Sequence, residues 1–316
     1  MDDALDAVPA PDPNVRPDGF VVVVEPGDRI HFLDWGGPAD VGTPGVVLVP
    51  GLSQTAWIWA PVARRLRSLA RTVAMDLRGH GLSDAPTDDG AYDLDVLGED
   101  VVAVAEGSGL LATGGTSGTT TDRVVLAGHG FGAVVAAAAA GRLGDRCAGL
   151  VLVDGGWESM EVATGLDADE FLRGLDEPPE VMRSLDAFLA DRAAFDPATW
   201  EADQEAAARA TVVETHAGRV VPSTRPHALE ASVRAMFTYE PAITLDAIAA
   251  PVLGLLAADD EEHTRERSLA AVSEARVAAS RPAIVLQRFP HDGHNLMRYR
   301  PREVTAAILA ALQPDH

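Results

Sequence analysis

Two kinds of hydrophobic patterning divide this chain. GFVVVVEP and RIHFLDWGG are β-rich runs separated by a Pro-Gly-Asp turn, so residues 19 to 36 predict an antiparallel hairpin. After the hairpin the apolar runs become short and continuous, without alternation: GVVLVP (45–50), TVAMDL (72–77), RVVLAG (123–128), GLVLVD (149–154), PVLGLLA (251–257) and AIVLQRF (283–289). Such runs fit strands buried on both faces, as in a parallel sheet. Helical spacing recurs between them at 58–69, 95–107, 132–143, 264–278 and 302–312. Right-handed β-α-β crossovers wind that alternation into an α/β architecture, a doubly wound, mostly parallel sheet covered on both sides.

Two segments interrupt the rhythm. The tract ATGGTSGTTTD (112–122) reads as a surface loop. From about Trp157 to Ile248, helical spacing appears in FLRGL, VMRSLDAFLADRAAF, TWEADQEAAARATVVETHA and ALEASVRAMFT, with no convincing buried strand. This span, 157–248, is expected to be an inserted helical cap on a core formed by 19–156 and 249–316. The acidic, proline-rich residues 1–18 are expected to be a disordered tail. Trp157, Met160, Phe171, Phe188, Trp200, Met236 and Phe237 supply apolar surface in the cap, most of it for cap packing and a minority for lining a pocket for an apolar small molecule.

Composition narrows the chemistry. The 316 residues include 48 acidic and 25 basic ones, a formal charge of −23, which repels phosphate backbones and anionic membrane surfaces, so neither nucleic acid nor membrane is an expected partner. All 25 basic residues are Arg. Without lysine, Schiff-base and PLP chemistry and a lysine-bearing P-loop are excluded. Cys147 is the single cysteine, expected to be buried and structural, and it can form neither an internal disulfide nor a cysteine-rich metal site. No cofactor and no metal are expected. The N-terminus is unlike a signal peptide, and FGAVVAAAAAG is far shorter than the roughly 20 residues of a membrane span, so a cytoplasmic location is expected.

Ligands of open α/β sheets sit beyond the carboxyl ends of the strands. There the chain carries PGLSQTAWIWAPV, DLRGHGLSD, GHGFG, AADDEE and FPHDGHNLM, in that order. Together these resemble the α/β-hydrolase superfamily, particularly its capped esterase, lactonase, epoxide-hydrolase and dehalogenase-like branch, over about residues 19 to 312. The resemblance implies an oxyanion hole from the backbone N–H groups of Leu52, after Pro50-Gly51, and of Phe131, at a helix start. It implies an acid at Asp259, with Asp260 adjacent and Asp154, on an earlier strand, as the lesser alternative. His294 in Gly293-His294-Asn295 becomes the general base, against the other readings of a loop histidine or half of a His291/His294 metal pair. In DLRGHGLSD, Asp76 and His80 are expected to hold a tight loop, and His129 to pack away from the ligand.

The nucleophile position of the G-x-S-x-G elbow is Gly130. Glycine adopts the strained elbow conformation freely, and loss of a triad serine removes about six orders of magnitude in kcat, so turnover through an acyl-enzyme is excluded. Two readings follow. In one, the space of the missing side chain holds a water that His294 and its acid activate, giving one-step hydrolysis of an apolar ester, lactone or related carbonyl compound. In the other, the protein is a non-catalytic ligand-binding or scaffold member of the same fold.

Overall fold

A computed structural model describes residues 5, 8–38, 43–111, 122–175, 184–257 and 263–313. The predicted hairpin is β1 (Asp18–Val24) against β2 (Asp28–Asp34), with Phe20 opposite Phe32 and Val22 opposite Ile30. The continuous apolar runs form β3 (Gly45–Val49), β4 (Thr72–Met75), β5 (Val124–His129) and β6 (Cys147–Val153). A short hairpin, β7 (Val212–Glu214) and β8 (Val220–Pro222), precedes β9 (Val252–Ala257) and β10 (Val285–Phe289). The main sheet has the order β1-β2-β4-β3-β5-β6-β9-β10, with β1 and β2 antiparallel and the pairs from β4 to β10 parallel.

The helices are α1 (Ala60–Leu66), α2 (Leu94–Gly107), α3 (Phe131–Leu143), α4 (Met160–Thr164), α5 (Ala168–Leu175), α6 (Leu185–Phe195), α7 (Ala202–Ala210), α8 (Pro226–Phe237), α9 (Pro241–Asp246), α10 (Thr264–Ala278), α11 (Leu296–Tyr299) and α12 (Pro301–Leu312). Successive side chains of a strand point to opposite faces, so a doubly covered sheet needs two cores. Both are present. Val47 and Val49 of β3 join a cluster with Leu97 and Val101 of α2, Val135 of α3 and Leu269 of α10. Val46 and Leu48 join a separate cluster with Val62 and Leu66 of α1 and Val304 and Ile308 of α12. Every residue of β3, β4, β5 and β6 is buried. The run that becomes β10 is the exception, with Val285 and Arg288 exposed, because this strand is the sheet's edge.

Between β6 and β9 the chain is mainly helical, and α8 anchors it by burying Val233 and Met236 in the main core. The β7–β8 hairpin inside this segment is a departure from the sequence-based expectation. Three-residue strands are too short to show periodicity, and Val220 is buried beside Phe188 and Leu189. The expected disordered tail is held over its described part. Arg64 donates to the carbonyls of Asp12 and Val15, and Arg302 to that of Leu5. Residues 112–121 of the Gly/Thr tract fall outside the described residues. Cys147 is buried at the start of β6, and burial pushes its thiol up to about 11, so it is inert at neutral pH. Among the described residues, no helix is long and apolar enough to cross a membrane.

Candidate active site

The carboxyl ends of β3, β5 and β6 and the loop after β10 converge on one cavity of about 390 Å³. The turn from β5 into α3 builds its base. Gly130 sits at φ +53 and ψ −117, a conformation that costs other residues strain, and its N–H donates to Val153 O at 3.0 Å. Gly132 lets α3 approach the end of β3, since a Cβ there would stand 2.3 Å from Pro50 O. Leu52 and Phe131, the two residues assigned to the oxyanion hole, both line the cavity. Among the described residues, neither backbone N–H donates to a protein acceptor. Phe131 opens α3, where unpaired N–H groups and the helix dipole favour negative charge.

A Cβ on Gly130 would lie 3.2 Å from His294 Nε2 and 3.5 Å from Cε1, so the imidazole faces the position a nucleophile would occupy. Of the three carboxylates named for the acid, Asp154 is the one the structure describes. His294 Nδ1 donates to Asp154 Oδ2 at 2.5 Å, whereas Asp259 and Asp260 lie outside the described residues. Topology explains the partner: Asp154 follows β6, the immediate neighbour of β5 in the sheet, so it emerges beside the Gly130 turn. Asp154 adopts φ +51, uncommon for a residue other than glycine. Its other oxygen accepts from Ala257 N at 2.9 Å and from Arg265 at 2.7 Å. Burial works against the charged carboxylate, but the His294 hydrogen bond and the Arg265 charge outweigh it and hold the pKa below the ordinary carboxylate value. With Nδ1–H committed to Asp154, the lone pair of Nε2 faces the cavity side. The His294 side chain is 57% exposed while Asp154 is 2% exposed, an accessible base on a buried support.

His129 connects this imidazole to the loop after β3. Its ring lies 4.2 Å from the His294 ring, with Nε2 3.0 Å from His294 O and Nδ1 2.9 Å from Gln54 Oε1. Burial lowers its pKa to about 3, so the ring is neutral at ordinary pH. A neutral ring has one N–H, and the His294 carbonyl and Gln54 Oε1 both only accept, so that N–H serves one of the two and ties the ring to a loop of the site. Gln54 accepts from Gly51 N at 3.0 Å and donates to Asn295 Oδ1 at 2.7 Å, tying the loop after β3 to the same place. His129 therefore packs as expected of it, but it also borders the cavity.

The rest of the wall comes largely from the segment after β6. Met160, Met236 and Tyr239 line the cavity, so two of the seven apolar residues singled out in the sequence reach it. Phe171 and Phe237 instead pack edge to face on one another at 5.7 Å, and Trp157 is fully buried. Arg265, at the start of α10, bridges Asp154 and Glu158, with its Nε donating to Glu158 Oε1 at 2.7 Å. Gln54, Glu158 and Arg265 were not legible as site residues, because no short motif marks them. Asp154 had a signal: it ends an apolar strand and is followed by Gly-Gly, the same strand-end rule that located the other stations.

DLRGHGLSD forms a closed structural loop, as expected. Asp76 accepts from Ala56 N at 2.7 Å, from Leu82 N at 3.0 Å and from His31 at 2.8 Å. His80 is fully buried with Nδ1 on Arg78 O at 3.0 Å.

The model of the alpha/beta hydrolase family matches residues 46–308. The chain is 30% identical over 125 residues to epoxide hydrolase 4 of Mus musculus, covering 40% of this chain and 31% of that protein. It is 35% identical over 128 residues to N-formylmaleamate deformylase of Pseudomonas putida, covering 40% of this chain and 42% of the relative. These matches span well under half of the relatives' lengths. A putative carbamate hydrolase of Caulobacter is 28% identical over 290 residues, covering 91% of this chain and 97% of the relative. Among solved structures, E-2-(acetamidomethylene)succinate hydrolase superposes with a TM-score of 0.72 at 19% identity, covering 93% of this chain and 98% of that one, a likeness of fold. The family match over most of the chain, together with the sheet order and the strand-end site, makes this protein a member of the α/β-hydrolase family.

Proposed function

We propose that the protein is a hydrolase that attacks an apolar ester, lactone or related carbonyl compound with water directly, using His294 and Asp154 as the base and no covalent intermediate. The observation that carries this reading is the 3.2 Å between His294 Nε2 and the Cβ position of Gly130, with Nδ1 bonded to Asp154. A water's share of liquid volume is about 30 Å³, close to that of the absent hydroxymethyl group, and such a water touches Nε2. As its oxygen adds to the carbonyl carbon, its proton passes to Nε2 and Asp154 stabilises the imidazolium. The carbonyl oxygen gains the negative charge, which the Leu52 and Phe131 N–H groups receive. Collapse expels the alkoxide, and His294 returns the proton to it, leaving an acid and an alcohol. Residues 157–248 act as the cap that supplies Met160, Met236 and Tyr239 to the pocket.

The second reading, ligand binding without turnover, is favoured by Gly130 itself, which relieves the elbow strain that catalytic side chains sustain. A p-nitrophenyl ester panel separates the two. Direct hydrolysis gives turnover without a burst, insensitive to fluorophosphonate and lost in His294→Ala. If the unmodified protein and His294→Ala release product equally, the hydrolytic reading is wrong.

A further inference from the structure

In direct hydrolysis, the atom that gives its proton to His294 becomes bonded to the carbon that carries the oxyanion. The atoms run H–X–C–O, with X the oxygen of water. In an elbow bearing serine, X is the side-chain oxygen and is fixed to the protein; Gly130 leaves X to be supplied from outside. A side-chain carbon on Gly130 would have His294 Nε2 at 3.2 Å and Cε1 at 3.5 Å, with no other atom of the described residues within 4 Å, its chain neighbours aside. The space beside Gly130 therefore abuts the base and is otherwise open.

X need not be oxygen. The α-carbon of a carbonyl compound stands in the same relation to the carbonyl carbon and its oxygen, and unlike water it arrives already bonded to that carbon. One substrate then supplies both the proton and the oxyanion, which is the entropic advantage of an intramolecular arrangement. The charge of an enolate develops on the carbonyl oxygen, so the donors suited to a tetrahedral adduct suit it equally. Leu52 and Phe131 line the cavity, their N–H groups meet no protein acceptor among the described residues, and Phe131 opens α3.

We infer that the site enolises apolar ketones whose α-carbon carries an aryl or second carbonyl group, with His294 taking the proton from that carbon beside Gly130. The inference shares its base and oxyanion groups with the hydrolytic reading, but it needs neither a water nor a leaving group. The α C–H bond breaks and its hydrogen passes as a proton to Nε2. The bonding pair forms the C=C bond of the enolate, the carbonyl π pair moves to oxygen, and Asp154 stabilises the imidazolium through Nδ1. Return of a proton from Nε2 to the same carbon restores the ketone. Because the His294 side chain is exposed, the imidazolium trades its proton with solvent, so the carbon acquires solvent hydrogen. The aryl or second carbonyl group spreads the charge and makes the C–H acidic enough for an imidazole, and Leu52, Met160 and Met236 receive the apolar body.

Phenylacetone tests this, because a ketone cannot be hydrolysed. Decay of its benzylic proton signal is followed by NMR in deuterium oxide with the full chain and with buffer alone, and p-nitrophenyl ester hydrolysis is measured separately. The unmodified protein is expected to exchange faster than buffer and in two phases, since a fixed base removes one of the two benzylic hydrogens ahead of the other. His294→Ala is expected to lower the rate above buffer by about two to four orders of magnitude, the contribution of a positioned base. Exchange at the buffer rate, a single-phase decay, or an equal rate in His294→Ala overturns the inference. If the variant does not fold, as judged by thermal melting, the two-phase decay of the unmodified protein still decides, because exposed side chains act on both hydrogens alike. Exchange without ester hydrolysis supports the inference and refutes the hydrolytic reading, whereas ester hydrolysis without exchange does the reverse.

Discussion

Two histidine–aspartate pairs stand in this molecule, and they differ in almost everything except the pair itself. His31 meets Asp76 at 2.8 Å and His294 meets Asp154 at 2.5 Å, each through Nδ1 and Oδ2. In both, Nε2 faces a glycine, 3.2 Å from the Cβ position of Gly19 in one and of Gly130 in the other. The His31 side chain is 9% exposed and its pair joins β2 to the loop after β4; the His294 side chain is 57% exposed and opens on the cavity. A supported imidazole is therefore no mark of catalysis. Access and unpaired backbone donors beside it are what set His294 apart and support its proposed role as a base.

The largest expected effect removes the base. His294→Ala lowers ester hydrolysis by about two to four orders of magnitude, the usual contribution of a positioned base, while the melting temperature changes little because the ring is largely exposed. Asp76→Ala does the reverse. It strips acceptors from Ala56 N, Leu82 N and His31 in a buried site, and chemical denaturation is expected to show a loss of roughly 3–5 kcal/mol. Comparable losses of activity per folded molecule in both variants would erase the distinction between the two pairs.

The same contrast explains what was legible in the sequence. The double-sided burial of β3 to β6 came through because continuous apolar runs have few alternative uses, and the helix positions followed from their periodicity. His294, Leu52, Phe131 and Gly130 line one cavity because short loops at strand ends keep sequence neighbours together in space. Asp154 ranked below Asp259 in the sequence because its nearness to the Gly130 turn depends on which strand lies beside β5, a fact of sheet order rather than of local sequence. Glu158, Arg265 and Gln54 reach the site through side chains from separate elements, and pairings across such distances leave no trace in composition or spacing.

Gly130 sharpens the comparison at intermediate magnitude. In Gly130→Ala the new methyl stands close to His294 Nε2 and the residue must keep φ +53 and ψ −117, at a cost of roughly 1–3 kcal/mol in denaturant titrations. The methyl also takes the place of the attacking water, so hydrolysis falls with it. Gly130→Ser carries similar strain but sets a hydroxyl beside the base, and fluorophosphonate labelling, which the unmodified protein is not expected to show, is expected to appear. Full activity in Gly130→Ala would place the attacking water elsewhere.

The smallest effect concerns the proton inventory of the site's support. Burial lowers the pKa of His129 from its ordinary 6.5 to about 3, and burial also lowers that of His80. Between about pH 3 and 6.5 the unfolded chain therefore binds a proton at His129 that the folded chain does not, and His80 acts with the same sign below its ordinary value. Stability rises with pH wherever the unfolded state binds more protons, so acidification through this window destabilises the fold. Each ring contributes a slope of up to roughly 1.4 kcal/mol per pH unit. Asp154, held below the ordinary 3.8 of a carboxylate, has the same sign but acts only at the acid end: its stabilisation is present above that value and is lost as pH falls through the folded pKa. His129→Gln keeps a donor toward the His294 carbonyl and removes one titrating ring, so its curve of unfolding free energy between about pH 4 and 6 should be flatter than the unmodified protein's by close to one proton. Parallel curves would mean that His129 holds its proton in the folded state, and that both its contacts, to Gln54 and to the His294 carbonyl, are donated hydrogen bonds.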